Sequence, residues 1–171
     1  MFLLKLRKFF SPSAYARIYR FGLNLWPCIR GSGVRITELS DDFTRLKVQL
    51  KFKLRTRNLV GTIYGGSMYA STDPFFMLML MEILGPNFVV WDKGCTIRFR
   101  RPAKTLIEAK FEITPAMLSE VLANVEKSGE HSFVWKIDYR DKNDVVYCEF
   151  DKVLYVAKKD FYKEKLKKRG L

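Results

Sequence analysis

Residues 58–84 have the sequence NLVGTIYGGSMYASTDPFFMLMLMEIL, and this stretch decides which folds the chain can adopt. Its second half is almost entirely apolar and holds too few β-branched residues for a strand, so it predicts a buried helix. The most apolar run, Phe75 to Met81, is far shorter than the roughly 20 residues needed to span a bilayer. A glycine-rich segment from Asn58 to Gly66 precedes it. The stretch therefore predicts a central helix that the chain enters through a glycine-rich turn.

Two starting points are open for this helix. If it begins at Gly65, Pro74 lies inside it and should kink it just after Asp73, because proline has no amide hydrogen to donate. Alternatively, Thr72-Asp73-Pro74 has the form of a helix N-cap with proline at the first helical position. In that case Asp73 is structural, and Gly65-Gly66 is only a tight turn.

Strand patterns lie on both sides of the central segment. Residues 46–54 alternate strictly between apolar and polar side chains, which indicates a half-buried antiparallel strand, and residues 34–38 supply a hairpin partner. Further strands are predicted at 88–100, 106–113, 132–140 and 145–157. Helices are predicted at 13–26 and, as an exposed helix or frayed end, at 161–171, while 115–128 is a short helix or a packed loop. This order predicts one antiparallel sheet wrapped on a central helix.

Composition fits one domain over residues 1–171, with an N-terminal helical segment (1–30), a core (34–157) and a basic tail (158–171). The 171 residues are 48% hydrophobic, enough for one sizeable core. The formal net charge of +13 predicts attraction to a polyanion, which could be nucleic acid, an acidic membrane surface or a phosphorylated ligand such as coenzyme A. No recognised basic-aromatic motif accompanies the charge, so nucleic acid is not expected.

The cysteines and the histidine exclude several kinds of site. Cys28, Cys95 and Cys148 are odd in number and widely spaced without a CxxC pair, which predicts neither a disulfide framework nor a zinc site and fits a reducing cytoplasm. His131 is the only histidine, which excludes any mechanism that needs two. Ser67 lacks the spacing of a nucleophile elbow. Cys95 and Cys148 have no histidine placed by the sequence to activate them, so Ser67, Cys95 and Cys148 are not expected to act as nucleophiles.

The glycine-rich segment and the aspartate after it form one spaced pattern, Asn58-x-x-Gly61-x-x-Tyr64-Gly65-Gly66 with Asp73 seven residues beyond. This pattern resembles the phenylacetyl-CoA-type thioesterase branch of the hot-dog superfamily, whose motif is similar to N-x-x-G-x-x-H-G-G followed by an acidic residue on the central helix. The resemblance covers about residues 34–157 and includes the segments 91–93 and 97–99. It implies an α+β hot-dog fold, here with an extra N-terminal helix. Tyr64 stands where the family usually has histidine, as in a subgroup that lacks it.

The resemblance also implies roles for the motif residues. Asp73 would be the general base or nucleophile, acting on a substrate held mainly by the partner subunit of a homodimer or homotetramer. Gly65 and Gly66 would form an oxyanion hole, since the first amides of a helix have no intrahelical acceptor and glycine allows close approach. Asn58 would orient the water or the thioester carbonyl.

A second group of residues is predicted to bind substrate. Tyr64 and Gly61 belong to it by their place in the motif. The others are basic residues on or just beyond one strand: Arg98, Arg100, Arg101 and Lys104. Arginine binds phosphate bidentately, so coenzyme A phosphates are natural partners for this cluster, although a solvated strand face would look the same in sequence.

The sequence thus predicts a thioesterase for an acyl-CoA or acyl-carrier thioester, with coenzyme A as part of the substrate and no separate cofactor or metal. The alternative is a non-catalytic acyl-CoA or lipid-binding hot-dog protein, which Tyr64 suggests because it replaces the usual motif histidine. A cytoplasmic location is expected. The basic and apolar residues 1–10 also predict peripheral contact with a membrane, with a docked helix as the alternative.

Overall fold

The computed structural model describes residues 7–170, which form six strands and six α-helices. The strands are β1 (Val34–Leu39), β2 (Arg45–Leu50), β3 (Phe88–Phe99), β4 (Ile107–Glu112), β5 (Glu130–Arg140) and β6 (Val146–Lys158). The helices are α1 (Pro12–Leu25), α2 (Pro27–Ser32), α3 (Gly65–Ala70), α4 (Phe75–Leu84), α5 (Pro115–Ser128) and α6 (Lys159–Lys168). Single 3₁₀ turns occur at Arg7–Phe9 and Leu54–Thr56. In the described part of the chain, no helix is long and apolar enough to span a membrane.

All six strands form one antiparallel sheet in the order β1-β2-β4-β5-β6-β3. The predicted hairpin of β1 and β2 is confirmed. Its turn is held by Asp42, whose carboxylate accepts hydrogen bonds from the Ser40 hydroxyl and from the Thr44 amide and hydroxyl. The four later strands also form within two residues of their predicted bounds. The chain crosses from β2 through α3 and α4 to β3, which forms one edge of the sheet.

The helix α4 forms the centre of the core, as the apolar run predicts. Phe75, Phe76 and Leu80 are almost completely buried. The ring of Phe76 packs edge-on against Phe111 of β4 and Trp135 of β5, with ring centroids 4.9 Å and 5.1 Å apart. Burial of so many large apolar groups on one side of the sheet is the main favourable contribution to folding.

The central helix is interrupted, and each proposed starting point is partly right. A first helix does begin at Gly65, but it ends at Ala70, and a second begins at Phe75 after a turn that contains Asp73 and a cis Asp73–Pro74 peptide. Pro74 has no amide hydrogen to donate back to Ala70, so the α-helical hydrogen bonding cannot continue through it. Pro74 precedes the second helix as its N-cap and does not occupy its first turn.

Strand β2 ends at Leu50, four residues before the predicted end at residue 54. Leu50 pairs with Val34 on one side and with Ile107 on the other, and both neighbouring strands stop there. The chain then turns into the 3₁₀ segment, where the buried Thr56 donates its hydroxyl to the Lys51 carbonyl oxygen at 2.6 Å. The alternating pattern beyond Leu50 therefore has no strand to pair with.

The turn between α3 and α4 is anchored to the sheet through a buried tyrosine. Tyr139 of β5 donates its hydroxyl proton to the Ser71 Oγ at 2.7 Å, and neither residue is exposed. Ser71 in turn donates to the Met68 carbonyl oxygen at 2.8 Å. This chain of hydrogen bonds fixes the segment that carries Asp73 relative to the sheet.

We expect Tyr139→Phe to lower the free energy of unfolding by about 1–2 kcal/mol, because the buried Ser71 hydroxyl loses its donor. Tyr147→Phe is the matched control, since Tyr147 bonds the Asp141 carboxylate at 3.2 Å on a more exposed hairpin. Urea denaturation of both variants measures the difference. Equal losses in the two variants would show that the Tyr139 bond does not anchor the turn.

Candidate active site

A lysine is buried on the inner face of β6. Lys152 is 2% exposed, and the inward residues on either side of it, Phe150 and Leu154, are completely buried. The Lys152 Nζ lies 3.5 Å from Asp73 Oδ1 and 3.4 Å from Asp92 Oδ1. The α3–α4 turn, β3 and β6 therefore bring one ammonium and two carboxylates together. We call Asp73, Asp92 and Lys152 the Asp–Lys–Asp cluster.

Within the cluster, Asp92 is the most perturbed carboxyl group. Burial, together with the interaction with Asp73, raises the pKa of Asp92 to about 7, although the charge of Lys152 opposes the rise. Both Asp92 oxygens are buried and accept no hydrogen bond from the described residues. Two ionised carboxylates cannot hydrogen bond to one another, but a protonated Asp92 can donate to Asp73. Near neutral pH, then, Asp92 can hold or release a proton beside Asp73.

Asp73 differs from Asp92 in its access to solvent. Its side chain is 51% exposed, against 16% for Asp92 and 2% for Lys152. The Asp73 carboxylate therefore faces the buried Lys152 ammonium on one side and solvent on the other. That position suits a group which reacts with a bound molecule or with water.

The glycine pair lies at the start of α3 under two aromatic rings. A Cβ on Gly66 would come within 2.2 Å of the Tyr64 ring, and one on Gly65 would come within 2.8 Å of the Phe99 ring. Both rings are more than half exposed. With the rings in these positions there is no room for a Cβ at Gly65 or Gly66, so a side chain at either position would displace an exposed ring. The first amides of the helix still have no acceptor inside it.

Asn58 and Gly61 form a turn ahead of the glycine pair. The Asn58 amide donates to the Thr62 hydroxyl at 2.9 Å and accepts from the Thr62 backbone amide at 2.9 Å. Gly61 adopts a φ of +78°, which favours glycine. These two hydrogen bonds of the Asn58 side chain both lie within the turn itself.

The predicted phosphate-binding arginines lie on the sheet among carboxylates. Arg98 pairs with Asp151 at 2.7 Å, and Arg100 pairs with Glu149 at 2.7 Å, both across the β3–β6 ladder. Arg101 donates to the Val146 carbonyl oxygen, and Lys104 is exposed. The positive charge of Arg98 and Arg100 is already balanced within the sheet, whereas no salt bridge within 4 Å is found for Arg101 or Lys104 in the described part of the chain.

Neither Asp92 nor Lys152 is among the site residues predicted from the sequence. One signal for Lys152 is present: residues 148–156 of β6 alternate, and Lys152 falls on the apolar side between Phe150 and Leu154. A lysine at such a position must have a partner of opposite charge. For Asp92 the signal is weaker, because it follows the buried Val90 at a spacing of two on β3.

The remaining reactive side chains do not add a second centre. Cys95 stands beside Lys152 in the strand register, and burial raises the pKa of its thiol while Lys152 lowers it. Burial raises the pKa of Cys148 to about 12, which keeps that thiol protonated. His131 stacks on Phe133 at 5.7 Å. Among residues 7–170, no group of three His, Cys, Asp or Glu side chains is placed to hold a metal ion.

Solved structures with this architecture identify the fold. A protein from Pseudomonas aeruginosa described as "Probable Thioesterase" superposes with a TM-score of 0.72 at 17% identity, over 83% of this chain and 95% of that one. Thioesterase HI1161 from Haemophilus influenzae gives 0.60 at 15% identity, over 87% and 92%. The E. coli PaaI protein from the phenylacetic acid degradation operon gives 0.58 at 13% identity, over 86% and 93%. The sheet and its central helix are therefore a hot-dog fold, as the motif predicted.

Within that class, the sequence assigns the chain to a family. Residues 16–156 match the family described as "Domain of unknown function (DUF4442)", and this protein belongs to it. A search of curated proteins gives no match. The matched range begins within α1 and ends within β6, so the Asp–Lys–Asp cluster lies entirely inside it.

We expect Lys152→Met to destabilise the fold by about 3–5 kcal/mol at pH 8, because it leaves a buried Asp92 carboxylate without a counter-charge. At pH 5 the loss should be smaller, since Asp92 can then be protonated. Lys158→Met, on the same strand, removes an exposed pair with Glu126 and should cost about 0–1 kcal/mol at either pH. Denaturant unfolding at both pH values tests this, and a pH-independent loss for Lys152→Met would contradict it.

The raised pKa of Asp92 predicts a pH-dependent effect of Asp92→Asn. The ordinary value is 3.8, so between about pH 4 and pH 7 the folded protein binds this proton more tightly than the unfolded chain does. Raising the pH through that window lowers the free energy of unfolding of the native protein. Asparagine removes this loss, so the melting temperature of Asp92→Asn relative to the native protein should rise from pH 5 to pH 8.

The matched control for this comparison is Asp144→Asn, since the Asp144 side chain is 82% exposed. A melting-temperature difference for Asp92→Asn that falls with pH, or that merely follows the control, would show that Asp92 is not held in its protonated form by the fold.

Proposed function

We propose that this protein hydrolyses the thioester of an acyl-CoA or of a related acyl carrier. The observation that carries the proposal is the Asp–Lys–Asp cluster, which places a half-exposed carboxylate against a buried ammonium at the break in the central helix. Several proteins with the same fold are described as thioesterases. The spacing of Asp73 from the glycine pair supports the same activity.

In the proposed reaction, the oxygen of water forms a bond to the thioester carbonyl carbon while the carbon–sulfur bond breaks. Asp73 accepts the proton of the attacking water, and the leaving thiolate takes up a proton, which gives a carboxylic acid and a free thiol. As an alternative route, the Asp73 carboxylate bonds to the carbonyl carbon while the carbon–sulfur bond breaks and the thiol leaves, and water then cleaves the resulting anhydride to release the carboxylic acid and restore Asp73. In both routes the amides of Gly65 and Gly66 would stabilise the developing oxyanion.

The other two members of the cluster act on Asp73. The Lys152 ammonium, whose Nζ lies 3.5 Å from Asp73 Oδ1, holds the Asp73 carboxylate in position as base or nucleophile. Asp92, with its pKa near 7, can receive a proton from Asp73 and return it during the reaction cycle. Lys152 and Asp92 are positioning and proton-holding residues, and Asp73 is the residue that meets the substrate.

The proposed assembly is a homodimer built on the edge strand β3. At the opposite edge of the sheet, Asn24 of α1 bonds both the amide and the carbonyl of Ile36 in β1, so that edge is covered. The 12 residues of β3 pair on one side with β6 and form the other edge. Unpaired backbone groups on a long edge strand favour addition of another strand. A second copy would also enclose the exposed side of Asp73.

Coenzyme A is proposed to be held through its phosphates by Arg101 and Lys104. Arg98 and Arg100 contribute less in this scheme, because each is already paired with a carboxylate at 2.7 Å. Tyr64, half exposed above the glycine pair, would contact the acyl or pantetheine part. This assignment keeps the basic end of β3 as the nucleotide site and leaves the helix break for the thioester.

The proposal is tested with purified protein and a panel of acyl-CoAs, with release of free thiol as the readout. Asp73→Asn should lower kcat/KM by about 10²- to 10⁴-fold because the reaction loses its base. Asp160→Asn removes an exposed carboxylate on α6 and should leave the rate unchanged. Turnover that survives Asp73→Asn at the native rate would exclude this mechanism.

The same panel distinguishes hydrolysis from binding alone. Acyl-CoA that raises the melting temperature without any thiol release would favour the non-catalytic acyl-CoA-binding or lipid-binding alternative. Light scattering on the same samples reports the mass of the assembly. A strictly monomeric protein with full activity would contradict the proposed enclosure of Asp73 by a second copy.

A further inference from the structure

The N-terminal helix exposes an apolar face to solvent. Tyr15, Tyr19 and Leu23 recur every four residues on α1 and are buried against the rest of the fold. Phe21 and Leu25 lie on the opposite side of the helix and are 66% and 53% exposed. Trp26, at the junction of α1 and α2, is 59% exposed. We call Phe21, Leu25 and Trp26 the α1 outer face.

Large exposed aromatic residues also precede the helix. Phe9 is 79% exposed and Phe10 is 43% exposed, and both stand immediately before α1. Large exposed apolar side chains thus occur both before the start of α1 and towards its end. Isolated exposed apolar residues are ordinary, but a group of this kind marks an interaction surface.

Charge is segregated in the same part of the chain. Residues 1–37 contain seven Lys or Arg and no Asp or Glu, and the first acidic residue is Glu38. Arg17 occupies the α1 position one turn before Phe21, and Arg30 lies on α2, both exposed. The apolar face is therefore flanked by cations, without an acidic side chain nearby in sequence.

The helix is held rigidly in this orientation. Arg20 donates to the Thr37 carbonyl oxygen, and Asn24 bonds both backbone groups of Ile36. Tyr19 packs edge-on against Phe43 at 5.2 Å. The outer face is consequently preformed by the fold and does not need a partner in order to become helical.

We infer that the α1 outer face binds the surface of an anionic lipid bilayer. Phenylalanine, leucine and tryptophan insert at the boundary between head groups and acyl chains, while flanking arginines meet lipid phosphates. Residues 1–37 carry seven basic and no acidic side chains, and the chain as a whole has a net charge of +13, so this part of the chain complements an anionic membrane. Residues 1–6, whose basic and apolar composition predicts the same contact, lie outside the described residues. The inference does not depend on thioester hydrolysis.

The first test is co-sedimentation with vesicles of phosphatidylcholine alone and of phosphatidylcholine mixed with phosphatidylglycerol. The native protein should bind the anionic vesicles. The triple variant Phe21→Ser, Leu25→Ser, Trp26→Ser should lower the partition coefficient by about tenfold or more. Leu122→Ser with Val134→Ser, which removes exposed apolar groups elsewhere, is the matched control and should bind as the native protein does.

The charge contribution is tested separately. Arg17→Gln with Arg30→Gln should weaken binding to anionic vesicles by about tenfold at low ionic strength and by less in high salt. Lys136→Gln with Lys142→Gln removes the same charge from the exposed strand β5 and the hairpin after it. Equal weakening by both pairs would mean that only net charge matters, and this would overturn the assignment of the surface to α1.

A second measurement reads the depth of one native side chain. In a Trp91→Phe background, anionic vesicles that contain brominated phosphatidylcholine should quench Trp26, while Trp135 is only 8% exposed in the core. Bound protein without quenching would overturn the inference. So would a triple serine variant that keeps its lipid binding but changes the mass measured by light scattering, since the face would then be a contact between copies.

Discussion

The burial of the Lys152 ammonium is the constraint on which the candidate site depends. A charge that is 2% exposed on the apolar face of a sheet would cost several kcal/mol if it stood alone. Two carboxylates from separate elements offset this cost, one from the α3–α4 turn and one from β3. Neither contact is a surface salt bridge of small value, because the shared ammonium is desolvated. The α3–α4 turn and β3 must therefore stay in place for the Lys152 ammonium to keep both of its carboxylate partners.

The break in the central helix meets this requirement, because it places Asp73 next to Lys152. Pro74 prevents the helix from continuing through residue 73, because proline has no amide hydrogen to donate and its ring collides with the preceding helical turn. The break exposes Asp73 on one side while Tyr139 fixes the preceding Ser71 to the sheet. The same turn thus leaves the Asp73 side chain half exposed to solvent and keeps it within 3.5 Å of Lys152.

Sequence patterns predicted the sheet well, because the apolar residues within each strand indicate which of its side chains are buried. Strands β3 to β6 alternate or run apolar over their whole length, and their bounds follow directly from that local signal. The end of β2 was wrong because it is set by the neighbours of Leu50, which no local pattern contains. Asp73 was predicted from the spacing of a motif. Its electrostatic partners were not, because Asp92 and Lys152 meet it only through the pairing of β3 with β6.

The structure also gives a physical account of the tyrosine that replaces the usual histidine. The Tyr64 ring lies over Gly66 so closely that a Cβ there would come within 2.2 Å of it, and the Phe99 ring covers Gly65 in a similar way. Glycine at these positions therefore serves the packing of two aromatic rings as well as any approach by a substrate carbonyl. A neutral tyrosine hydroxyl is a much weaker base than an imidazole or a carboxylate. In the proposed mechanism, proton transfer therefore falls to Asp73 together with Asp92, whose pKa is raised to about 7.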